Sequence, residues 1–125
     1  MKLIRSGGTR WVILTRHYAI KFPILSTWKH FVQGMLSNLT EGQWKDYPNK
    51  YLCPIKYSNR FGLVLIMHRA KPVKHTGLFW VELEKLYLDA ANEPQPLNKE
   101  FFEYDAFPKN FGYHKGNLVK IDYGV

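Results

Sequence analysis

Two helical runs set among short β-type runs, with Gly and Pro between them, are what most limits the folds open to this chain. Trp28, Phe31, Val32, Met35, Leu36 and Leu39 recur at three- and four-residue spacing, as do Phe79, Leu83, Leu86 and Ala90, the period of a helix with one buried stripe. Residues 1–4, 11–14, 18–22, 51–57, 61–67 and 118–121 are instead short apolar stretches next to turn formers such as Ser6-Gly7-Gly8-Thr9, Thr15-Arg16-His17 and Ser58-Asn59-Arg60, which read as strands. The pattern predicts an α+β fold, a small antiparallel sheet with packed helices. A chain of 125 residues is expected to form one domain over 1–125.

Local signals set the boundaries. Pro23 has no N–H for a ladder and should end the strand over 18–22. Ser26 or Thr27 is the N-cap expected for the first helix, with Gly42 and Pro48 marking its fraying and end. Residues 62–67 are apolar on both faces, as for a buried central strand. Residues 68–78, with Pro72 and Gly77, read as a linker, and Thr76 as a cap for a second helix over 78–91. Two prolines in 92–97 break that helix.

Eighteen Lys and Arg against ten Asp and Glu give a net charge of +8, which favours anionic partners. Cys53 is the lone cysteine, so an intrachain disulfide is excluded, and its place before Pro54 in an apolar run predicts a buried, inert thiol. The N-terminus lacks the apolar core of a signal peptide, and no apolar run approaches the roughly 18 residues of a membrane span. The expectation is a cytoplasmic protein without membrane contact, in which the sequon Asn38-Leu39-Thr40 is accidental. The five histidines have no Cys or His neighbours at zinc-ligand spacing.

The chemistry-bearing stretch is the last part of the chain. Asp105 is followed five positions later by Asn110, and Asp122-Tyr123-Gly124 comes after the apolar run Leu118-Val119-Lys120-Ile121. A carboxylate, an amide and a second carboxylate are hard oxygen ligands of the kind that hold Mg²⁺ against a polyphosphate.

In chain order this gives a Gly-Gly turn, a strand carrying Lys21, a helix, two strands, a helix, the Asp105-to-Asn110 loop and Asp122-Tyr123-Gly124. The arrangement resembles the protein-kinase-like superfamily in a very short form, similar to small-molecule kinase relatives and to short kinase-like proteins encoded by bacteriophages. Tyr18-Ala19-Ile20-Lys21 resembles the strand whose lysine meets the nucleotide phosphates, and Asp105 to Asn110 has the spacing of the catalytic loop. The resemblance implies ATP and Mg²⁺ as cofactors. It gives Asp105 and Lys21 catalytic roles, places Gly7, Gly8, Lys21 and Glu41 around the nucleotide, and puts Asn110 and Asp122 on the metal.

Glu41 is the helix glutamate available to Lys21, yet on a straight helix it lies about 150° from the apolar stripe at roughly 100° per residue. It is expected to face the sheet only if the helix kinks or ends first. The glycine turn is short, Glu103 and Tyr104 stand where the family has histidine and arginine before its aspartate, and Phe107 stands where protein kinases carry a lysine. The sequence ends one residue past Gly124, so the resemblance implies that the helical lobe which binds protein substrates is largely absent. These departures favour a kinase-like scaffold that has lost efficient catalysis and acts by binding another protein, for instance as a phage factor aimed at a host component. An ATP- and Mg²⁺-binding phosphotransferase is the alternative. A basic nucleic-acid-binding domain, using Trp11, Trp44 or Tyr113 beside Lys and Arg, is a third reading.

Overall fold

A computed structural model describes residues 2–6, 8–47, 49–74, 76–97, 99–103 and 107–121. The architecture is α+β, and the described chain forms two compact units, one from residues within 1–46 and 54–69, the other from 47–53 and 70–121.

In the first unit, strands β1 (Lys2–Ser6), β2 (Arg10–Leu14) and β3 (Tyr18–Pro23) form a meander. Helix α1 (Trp28–Gly42) follows, then β4 (Ile55–Ser58) and β5 (Leu65–His68). The sheet is antiparallel throughout, in the order β1-β2-β3-β5-β4. β5 therefore lies inside it, as its two apolar faces predicted, and Leu65 and Met67 are fully buried. It begins later than residue 61 because Gly62 takes a left-handed turn, with φ +74°, a region that favours glycine. The run over 51–57 is divided by Pro54, which cannot donate to a ladder. Beyond it Ile55 pairs with β5, whereas residues 51–53 belong to the second unit.

α1 is capped by Thr27, whose side chain accepts from the His30 N–H at 3.1 Å. The helix is rolled relative to the apolar-stripe expectation. Its buried residues are Gly34, Ser37, Asn38 and Glu41, themselves at helical spacing, while Trp28 is 77% and Leu36 55% exposed. The reason is close approach. A Cβ at Gly34 would stand 2.5 Å from the Thr9 carbonyl oxygen and 2.9 Å from the Pro23 Cα, so this face can reach the sheet backbone where a leucine stripe could not.

This contact makes a measurable prediction. In a free helix Gly→Ala gains about 1 kcal/mol from propensity. Here the added methyl meets backbone, and overpacking of this kind costs about 1–3 kcal/mol. Gly34→Ala should therefore lower stability in urea denaturation, and a gain would show that α1 moves away from the sheet easily.

In the second unit, β6 (Lys71–Pro72) pairs with β7 (Phe111–His114), and β7 with β8 (Asn117–Lys120), all antiparallel. The expected linker over 68–78 thus contains a short strand. Lys115 and Gly116 both have positive φ, 51° and 82°, the combination that closes a two-residue hairpin. β8 is flanked on its other side by residues 51–53. There the Cys53 N–H donates to the Lys120 carbonyl at 3.0 Å, and the Lys120 N–H to the Tyr51 carbonyl at 2.9 Å.

α2 (Thr76–Ala91) lays the expected stripe into the core: Phe79, Leu83, Leu86 and Ala90 are all buried. α3 (Lys99–Glu103) was not foreseen, and it adds the fully buried Phe102. Phe79 meets Phe111 edge-to-face at 5.4 Å between ring centroids. Cys53 is buried, as its surroundings predicted. Among the described residues no helix is long and apolar enough to cross a membrane.

Candidate functional site

Lys21 projects from the middle of β3, opposite Val12 on one side and Leu65 on the other. Flanked by two strands, it is only 5% exposed. Its ammonium donates to Glu41 Oε1 at 3.0 Å. Glu41 is completely buried and comes from the last turn of α1, so no kink is needed: the rolled helix presents it directly.

Two residues that the sequence reading did not assign to the site complete the cluster. Arg10, the first residue of β2, is 3% exposed. Its guanidinium donates to Glu41 Oε2 and, at 3.2 Å, to Asn38 Oδ1. Asn38 in turn donates through its amide to the carbonyls of Lys21 at 3.3 Å and Gly62 at 2.9 Å. Asn38 thereby ties α1 to β3 and to the turn before β5. At 1% exposure it has no room for carbohydrate, in keeping with an accidental sequon. The signal that could have found this cluster is the polar and small set Gly34, Ser37, Asn38 and Glu41 at intervals of three and four, which defines a helix face as surely as an apolar stripe does.

The electrostatics follow from burial and charge. Burial penalises the Glu41 carboxylate, but the Lys21 and Arg10 charges beside it outweigh that penalty and hold its carboxyl below the ordinary value of 4.5. The glutamate is thus ionised at neutral pH and keeps the lysine ammonium in one place.

The glycine turn closes the β1–β2 hairpin across the pair Ser6↔Arg10. Gly8 there has φ +75°, and Gly7 lies outside the described residues. In the second unit, a 3-10 turn over Pro108–Asn110 leads into β7. Asn110 is buried, its N–H donating to the Phe107 carbonyl and its carbonyl accepting from the Ile121 N–H, both at 2.9 Å. That bond holds the residue before Asp122 against Asn110. Asp105 and Asp122 themselves lie outside the described residues. Lys21 and Glu41 are thus brought together within the first unit, and Asn110 is placed within the second. Among the described residues no group of three or more His, Cys, Asp or Glu stands together as a metal site.

No protein-family model, curated protein or solved structure matches the chain.

Proposed function

We propose that this chain is a kinase-like, nucleotide-binding protein in which Lys21 contacts the phosphates of ATP and Asn110, with Asp122, would hold Mg²⁺. The observation that carries this reading is the buried Lys21–Glu41 ion pair, formed between the third strand of a β1-β2-β3-β5-β4 sheet and the helix that follows it. A lysine ammonium is a point-charge binder of phosphate, and in protein kinases a strand lysine paired with a helix glutamate must be in place for transfer. Asn110 supports the metal half of the reading: it is buried at the end of a tight turn and backbone-bonded to the residue preceding Asp122.

A second reading, a kinase-like scaffold that binds another protein, is favoured by α1. Its polar face is spent on the sheet, so Trp28 and Leu36 of its own apolar stripe are exposed, as is Leu25 just before the helix, apolar surface that a protein partner would cover. In that reading the Lys21–Glu41 pair serves to hold the helix.

Calorimetry with ATP and Mg²⁺ separates the two. Nucleotide binding predicts magnesium-dependent heat from the wild-type chain and at least about a tenfold loss of affinity, about 1.4 kcal/mol, in Lys21→Ala and in Asp122→Ala. Circular dichroism checks that each variant is folded. Absence of binding by the folded wild-type chain would sink the nucleotide reading and leave the scaffold.

A further inference from the structure

The second unit holds a depression of about 500 Å³ in which Lys71, Lys74 and Lys115 surround Pro72, Leu78 and Tyr113. The three cations come from β6, from the segment after it and from the β7–β8 turn. Among the described residues none of them forms an ion pair. Like charges are kept together here by backbone geometry: Lys71 lies opposite Tyr113 in the β6–β7 pairing, and the turn geometry of Lys115 and Gly116 fixes the third lysine.

Gly112 makes the pairing this close. A Cβ there would stand 2.8 Å from the Ala70 Cβ and 2.9 Å from the Lys71 carbonyl oxygen. The Tyr113 ring is held in turn by its hydroxyl, which donates to Glu82 on α2. That bond engages one oxygen of the carboxylate, which keeps its charge, and orients the ring as one wall. The hydrogen bond to Glu82, with burial and the carboxylate's charge, pushes the Tyr113 phenol up to about 12.

The volume is within the roughly 300–1,000 Å³ of small-ligand pockets, which combine apolar walls with a few polar groups that orient the ligand. Pro72, Leu78 and the Tyr113 ring supply the apolar surface, and three ammonium groups supply a site for a dianion. We propose that this depression binds a phosphate monoester with a compact apolar or aromatic body. The site is independent of the nucleotide reading, since Lys21 does not line it.

Phenyl phosphate is the probe, followed by amide chemical shifts of the full chain. The amides of Lys71, Lys74, Tyr113, Lys115 and Gly116 should shift together, with affinity at least about tenfold above that for inorganic phosphate, because the ring adds apolar burial to the same charge. The Lys71→Gln/Lys74→Gln/Lys115→Gln variant alters exposed side chains only and should keep the wild-type spectrum elsewhere while losing at least about tenfold in affinity. Leu78→Ala should weaken phenyl phosphate and leave inorganic phosphate unchanged. Equal affinity for the two anions would mean a surface charge cluster without an organic site and would overturn the proposal, as would shifts located elsewhere or full binding by the triple variant. It would equally be overturned if oligothymidylate moved these amides at concentrations where phenyl phosphate does not, since the lysines would then belong to a nucleic-acid surface.

Discussion

Glu41→Gln should cost about 3–5 kcal/mol in urea denaturation, the usual penalty for breaking a buried ion pair from one side. The substitution keeps the shape of the side chain and removes its charge, leaving Lys21 and Arg10, which are 5% and 3% exposed, without the carboxylate between them. Much of the loss comes from burying these two positive charges without the carboxylate that balances them. Replacing all three groups by apolar residues, Arg10→Met/Lys21→Met/Glu41→Leu, should therefore recover much of the stability. The half-exposed pair Lys99–Glu103 provides the internal comparison, because Glu103→Gln should cost less than about 1 kcal/mol. A Glu41→Gln effect no larger than that of Glu103→Gln would mean that the cluster does not organise the first unit.

The same cluster sets an acid limit. The Glu41 carboxyl titrates lower in the folded chain than its ordinary value of 4.5, so its contribution is fully present above the ordinary carboxylate range. It is lost as pH falls through the lowered value, where the folded carboxylate takes up a proton. Part of the acid sensitivity of the wild-type chain should accordingly be missing from Glu41→Gln.

Periodicity served well where a helix meets its core through bulk. The stripe Phe79, Leu83, Leu86 and Ala90 was legible because α2 packs by apolar volume, and all four side chains are buried. It misled on α1, where Gly34 permits backbone contact and the buried face is polar. An apolar moment cannot report a face stabilised by hydrogen bonds and an ion pair. Lys21 and Glu41 were legible as a pair only through resemblance. Asn38 was legible only through the small and polar set it shares with Gly34, Ser37 and Glu41 on α1, and Arg10 was not, because nothing local distinguishes a buried arginine at the start of a strand from an exposed one. Gly62 was hidden inside an apolar run, and its turn depends on α1 lying behind it, with its carbonyl accepting from Asn38. Pro54 could have been used more strongly: it separates a segment bonded to β8 from one paired with β5.

The second large effect is expected at Phe79, and it asks whether the two units stand or fall together. Phe79 is fully buried on α2, edge-to-face with Phe111 on β7, so Phe79→Ala removes a ring from the centre of the second unit. Truncations of this kind cost about 3–5 kcal/mol, the lost transfer energy plus the cavity left behind. The neighbouring Leu78 is 59% exposed, and Leu78→Ala should stay within about 0.5 kcal/mol of wild type. Hydrogen exchange reads the outcome by segment. If the units unfold as one cooperative body, protection falls equally in α2 and in the β2 and β3 ladders; if they unfold separately, β2 and β3 keep their wild-type protection while α2 loses it. A Phe79→Ala chain whose α2 amides exchange as slowly as those of wild type would show that this ring is not the centre of the core.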